Sequence, residues 1–275
     1  MTGVKLYRTA DAVIVEIDGA FSVLDAQWDD LIARPALLAW LRERAPGASQ
    51  TVRPAELQAP LQSQEVWAAG VTYFRSRSAR IEESQDAGGG TFYDRVYSAA
   101  RPELFFKSAA FRVRGPGAGI RVRGDASWSV PEPELALYVN PRGEIIGYTI
   151  GNDVSSRDIE GENPLYLPQA KTYDGSCALG PALLLTDTAL PPETPIMLTI
   201  NRAGAAVFEG ATTLAQMRRT PEELVGYLFR ELSFPSGCVL LTGTGVIPPD
   251  AFTLQSRDIV SITIPPIGTL MNTVE

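Results

Sequence analysis

Over most of its length this chain sets apolar residues in short runs closed by Gly, Pro, Asn and Asp, the pattern of strands and turns. The first runs are Val4-Lys5-Leu6-Tyr7 and Val13-Ile14-Val15-Glu16-Ile17, with a turn at Asp18-Gly19. From Trp28 to Arg44 the spacing becomes helical, with Trp28, Leu31, Ile32, Leu38 and Leu41 on one side and Pro35 interrupting. Proline and glycine punctuate residues 45–60, which reads as a linker closing a small N-terminal unit. Beyond it, Val66-Trp67-Ala68-Ala69-Gly70 reads as a buried strand. A polar stretch over 74–86 and a glycine triplet at 88–90 follow, and the triplet is expected to form a lid or surface loop.

After residue 100 the chain is mostly strand, near 104–107, 111–114, 128–139, 144–152, 182–186, 196–202, 238–241, 259–264 and 269–274. One helix is well marked, from Pro221 to Leu232. Thr220 is its N-cap, Pro221 takes its first position, and Glu222 and Glu223 favour its positive end. Many short strands with few helices predict an α+β, β-rich fold, a sandwich or roll with helices outside, divided into residues 1–60 and 61–275.

Composition narrows the chemistry. At 45% hydrophobic the chain can bury a sizeable core, and a net charge of -8 with scattered Lys and Arg argues against a nucleic-acid surface. No apolar run is long enough for a bilayer and Met1-Thr2-Gly3-Val4-Lys5 lacks the apolar core of a signal peptide, so the cytoplasm is the expected compartment. Cys177 and Cys238, far apart, are expected to be buried free thiols. There is no histidine. That excludes Ser-His-Asp and Cys-His catalysis and His-ligated zinc, and leaves proton transfer to Glu, Asp, Lys, Tyr, Cys or metal-bound water.

The stretch from Val130 to Asp153 is the natural place for a metal. Glu132 and Glu134 are two apart on a strand, so both carboxylates leave one face, and Pro131 and Pro133 suit a strand rim. If the turn Asn140-Pro141-Arg142-Gly143 pairs Asn140 with Gly143, residue 132 faces 151 and 134 faces 149. Asp153 then shares the face of the two glutamates, diagonal to Glu132. Gly147, Thr149 and Gly151 would leave room above the carboxylates, and such a cluster selects Mg²⁺, Mn²⁺ or Ca²⁺.

Three further groups could carry chemistry. Lys171 would be pushed toward its neutral form by a nearby cation and by burial; the alternative is a solvated surface charge. Glu103, among apolar residues, could be a carboxyl with a raised pKa or a partner of Arg101 or Lys107. Gly243-Thr244-Gly245 ends a strand in a loop where backbone N–H groups can approach an anion and Thr244 offers a hydroxyl, or it is simply a tight turn.

Glu132-Pro133-Glu134-Leu135, Gly147 to Asp158, Leu179-Gly180-Pro181, Thr242-Gly243-Thr244-Gly245, Arg257-Asp258-Ile259-Val260 and Ile267 to Asn272 together resemble the fumarylacetoacetate hydrolase family. The resemblance covers residues 60–275 and implies a mixed β-sandwich roll. It also implies Mg²⁺, with Mn²⁺ possible, on Glu132, Glu134 and Asp153. With no histidine for a water-activating pair, the stretches around Glu103 and Lys171 are similar to the family's sugar-acid branch. That branch implies dehydration of a 2-keto-3-deoxy sugar acid, with Lys171 and Glu103 moving protons, Thr244 holding the carboxylate, and Tyr73, Arg75 and Arg77 contacting hydroxyls. A homodimer or homotetramer is expected by the same analogy. An acylpyruvate hydrolase, an oxaloacetate decarboxylase and an inactive ligand-binding module are the alternatives.

Overall fold

The computed structural model describes residues 3–44, 56–73 and 95–275. The large sheet has nine strands, in the order β3 (Ala20–Leu24), β2 (Val13–Ile17), β1 (Val4–Arg8), β11 (Cys177–Leu185), β9 (Ile145–Asp153), β8 (Pro133–Val139), β14 (Cys238–Leu241), β4 (Glu65–Gly70), β5 (Glu103–Ser108). A second sheet has five, in the order β13 (Ala205–Thr213), β12 (Pro195–Arg202), β15 (Ile259–Ile264), β16 (Gly268–Val274), β6 (Gly119–Ile120). The short strands β7 (Ser129–Val130) and β10 (Ser155–Ser156) pair with each other. This is the expected strand-rich sandwich.

The large sheet is buried on both faces, because its central strands are apolar at consecutive positions. Leu135, Leu137, Ile150 and Leu240 face a core shared with Leu198, Ile262 and Leu270 of the second sheet. Ala136, Tyr138, Val239 and Leu241, on the opposite face, pack on α1 (Trp28–Ala33) and α2 (Leu37–Arg42) through Trp28, Leu31, Ile32, Leu37 and Leu41. Each such side chain contributes roughly 1.5–3 kcal/mol by leaving water. Trp28 donates its indole N–H to Tyr138 Oη at 2.7 Å, and Tyr138 donates to Gln64 Oε1 at 3.1 Å, so the polar tips of this core are satisfied.

The helical stretch over 28–44 is broken in two at Pro35, the interruption expected there, with Ala36 left-handed at φ 48°. Strands β1 to β3 extend the large sheet, because β1 pairs with β11. Further helices among the described residues are α3 (Arg157–Glu162), α4 (Leu167–Lys171) and α5 (Pro221–Leu228). Thr220 accepts the Glu223 N–H at the start of α5 as its capping pattern predicts, and α5 ends four residues earlier than expected, before Phe229. No helix among the described residues is long and apolar enough to cross a membrane.

Candidate metal centre and active site

The hairpin β8–β9 is two residues out of the expected register, with its parity intact. Glu134 faces Gly151, Pro133 faces Asn152, and the N–H of Asp153 donates to Glu132 O at 3.0 Å. Two shifts combine. The turn closes Asn140 on Glu144 instead of Gly143, and a bulge follows between the pairs Tyr138–Gly147 and Val139–Ile145. Each shift alone would turn Asp153 to the other face, and together they return it. Glu132 and Glu134 continue the row of Ala136 and Tyr138, so the carboxylates end the face that packs on α1. The expected room above Gly151 is taken, since a Cβ there would lie 2.3 Å from Leu241 Cδ2. That glycine admits core packing.

Glu132, Glu134 and Asp153 are buried, and one carboxylate oxygen from each lies within 4.8 Å of the others. Lys171 Nζ donates to Glu132 Oε2 at 2.7 Å, Asp153 Oδ2 at 3.2 Å and Ser155 Oγ at 2.6 Å. Arg157 Nη2 donates to Glu132 Oε1 at 2.6 Å, and Lys107 Nζ lies 2.5 Å from Asp153 Oδ1. The N–H of Gly243 donates to Glu134 Oε2 at 2.5 Å. Gly243 is left-handed at φ 87°, and a Cβ there would meet Thr72 Oγ1 at 2.0 Å, so this close approach needs glycine. One N–H of this loop, that of Gly243, reaches a carboxyl group, and it is the chain's own Glu134.

Burial pushes the Glu134 carboxyl well above the usual range, and the charges of Asp153 and Glu132 push it further; Lys171 and the Gly243 N–H oppose them. A hard divalent cation removes that repulsion, so the donor set fits one. With Glu160, 1% exposed and 4.0 Å from Lys171 Nζ, four buried carboxyl groups meet three cations among the described residues, Lys107, Lys171 and Arg157. Fully ionised, the cluster is one charge negative.

Gly70, Phe105, Arg157, Lys171 and Thr244 line the cavity over the triad, whose volume of about 10 Å³ is that of one water or ion. Glu103 lies beside it across Gly70, where a Cβ would be 2.0 Å from Glu103 Oε2. Of the two cations considered beside Glu103, Lys107 reaches Asp153 and Arg101 lies over the Tyr227 ring at 5.6 Å. Thr244 borders the cavity and donates its hydroxyl to Val246 O at 3.0 Å. Tyr73 is buried against Gly245, and burial followed by the Glu134 charge raises its phenol pKa. Arg75, Arg77 and the glycine triplet lie outside the described residues. Sequence reasoning missed Lys107, Arg157 and Glu160 as site residues. For Lys107 the sign available was a charge closing the apolar run Leu104-Phe105-Phe106; Arg157 and Glu160 sit in the polar stretch Ser155 to Glu162 and carry no such sign.

A protein of Haloferax volcanii named as a probable 2-keto-3-deoxyxylonate dehydratase is 50% identical over 216 residues, 78% of this chain and 73% of its own length. The 2-dehydro-3-deoxy-D-arabinonate dehydratase of Saccharolobus solfataricus is 45% identical over 218 residues, again 78% and 73%. The solved structure of a 2-keto-3-deoxy-D-arabinonate dehydratase complexed with magnesium and 2,5-dioxopentanoate matches with a TM-score of 0.85 at 35% identity, over 99% of this chain and 98% of that one. The family described as fumarylacetoacetate (FAA) hydrolase C-terminal matches residues 71–275. With the family matching residues 71–275 and relatives 45–50% identical over 78% of the chain, this chain belongs to the fumarylacetoacetate hydrolase family.

Proposed function

We propose that this chain is a Mg²⁺-dependent dehydratase converting a 2-keto-3-deoxypentonate into 2,5-dioxopentanoate. The observation that carries the reading is a three-carboxylate pocket bridged by a buried lysine in a chain without histidine. The relatives support it, being dehydratases of this substrate class by name, one of them holding magnesium and 2,5-dioxopentanoate.

In this reading Glu132, Glu134 and Asp153 hold Mg²⁺, with Mn²⁺ as a substitute. Bound there, the ion supplies Lewis-acid polarisation of the 2-keto group, which acidifies the C3 protons. Lys171 Nζ, aimed among those ligands, takes a proton from C3 in its neutral form, after releasing its own proton. The Glu103 carboxyl, across Gly70, gives a proton to the departing C4 hydroxyl, so that water leaves and a C3–C4 double bond forms. Loss of one hydrogen from C5 and one from its hydroxyl, with protons returned to C3 and C4, then gives the terminal aldehyde. Thr244 holds the substrate carboxylate, while Tyr73, Arg75 and Arg77 contact hydroxyls.

A coupled assay tests the proposal. The 2-keto-3-deoxy-D- and L-pentonates are supplied with Mg²⁺, and the aldehyde is read through a semialdehyde dehydrogenase. Turnover of one of them is the expected result. Pyruvate released from an acylpyruvate, with no turnover of either pentonate, overturns the proposal in favour of a hydrolase. The same reading carries a cytoplasmic homodimer or homotetramer, whose mass light scattering measures, and a division into residues 1–60 and 61–275, which limited proteolysis measures.

A further inference from the structure

Lys107 has no part in the reaction as written above. It is fully buried and falls at the bulge of β5, between the pairs Trp67–Phe106 and Val66–Ser108. A bulge re-aims the side chain it carries. Here the ammonium reaches Asp153 Oδ1 at 2.5 Å, Val154 O at 3.1 Å and the main-chain oxygen of Lys171. An ammonium has three N–H donors, and these are three acceptors. Nothing remains to bind substrate.

The acceptors belong to two segments. Asp153 ends β9, while Lys171 ends α4, a five-residue helix too short to be stable alone. Ser176 Oγ donates to the same Lys171 oxygen at 2.9 Å. At the far end of the side chain, Ser155 donates to Asp153 O at 3.0 Å, which turns its acceptor lone pair toward Lys171 Nζ at 2.6 Å. A counter-ion for Asp153 would not require this arrangement, since Lys171 Nζ already gives that carboxylate a cation at 3.2 Å.

We propose that Lys107 is a positioning residue that locks the Asp153 carboxylate and the Lys171 main chain into one rigid arrangement, keeping metal ligand and proton carrier in a common register. The part concerning Lys171 rests on the dehydratase reading. Held through Oδ1, Asp153 keeps Oδ2 turned toward Lys171. With its carbonyl pinned, Lys171 cannot follow the fraying of a short helix.

Two variants test the inference. Lys107→Arg keeps the charge, so Asp153 is not left unpaired, but a planar fork cannot converge on three acceptors around one atom. Lys107→Met removes the charge at similar length. Thermal unfolding checks the fold, kcat and KM are measured for the dehydration, and Mn²⁺ alone is titrated by calorimetry into the metal-stripped proteins. At saturating Mg²⁺, kcat is expected to fall roughly 10–100-fold in both variants with KM within about threefold, and the Arg variant should bind Mn²⁺ roughly tenfold more weakly. A folded variant with wild-type kcat and wild-type Mn²⁺ affinity overturns the inference. Should the Met variant fail to fold, the Arg variant carries both readouts. Wild-type protein inactive on the pentonates would count against the dehydratase reading alone, leaving the Mn²⁺ titration to judge Lys107.

Discussion

Two buried carboxylates of this protein, Asp258 and Glu134, stand in opposite electrostatic situations. Asp258 meets Arg202 through two hydrogen bonds of 2.7 Å and accepts the Gln255 N–H at 2.9 Å, one anion matched by one cation. Glu134 shares its surroundings with Glu132 and Asp153, accepts the Gly243 N–H, and is paired with no cation among the described residues. The first site is closed and can only hold the fold together. The second is stable only with a proton or a cation, and that deficit separates a binding site from a structural ion pair.

Breaking each site should therefore fail in a different way. The largest effect is expected from Glu134→Gln. Mg²⁺-dependent turnover should fall roughly 100- to 1000-fold, while the melting temperature of the metal-stripped protein rises because a like charge is gone. Enzyme assay and calorimetry on the same sample check both directions. Arg202→Met should do the reverse. It strands the Asp258 charge and costs about 2–3 kcal/mol, less than a fully dry pair because Arg202 is partly solvated, with turnover per folded molecule unchanged. Urea unfolding alongside the assay measures this.

A third effect concerns pH. A carboxyl whose pKa is raised in the fold, as that of Glu134 is, stabilises the folded state fully below its unfolded value and loses that contribution as pH rises through the raised one. Mg²⁺ requires the ionised form. The melting-temperature gain from added Mg²⁺ should therefore widen as pH rises above the usual carboxylate range. Smallest is Arg42→Ala. Its pair with Asp187 has side chains 46% and 63% exposed, so stability should change by less than about 0.5 kcal/mol and turnover not at all.

The contrast also explains what was legible in the sequence. Strand parity and the E-x-E spacing put three carboxylates on one face, and the missing histidine directed attention to Lys171. The register was out by two because the turn and the bulge each added a residue, and only their even sum kept the parity. Lys107 was hidden for the same reason, since a bulge breaks the alternation that tells which way a strand residue points. Strand β13 was missed outright. It is the outer strand of the second sheet and mostly exposed, and Ala205-Ala206-Val207 to Thr213 carries no apolar alternation to read. Helices α3 and α4 are too short to show a period, yet they bring Arg157 and Lys171 to the carboxylates.

The claim on which the rest depends is that Glu132, Glu134 and Asp153 share one divalent cation. Anomalous scattering from a crystal grown with Mn²⁺ tests it most directly. The account predicts a peak within about 2.0–2.6 Å of one oxygen from each of the three carboxylates, lost in Glu134→Gln. A peak elsewhere in the molecule, with those three carboxylates still held by Lys107, Lys171, Arg157 and Gly243 and no ion between them, would contradict it.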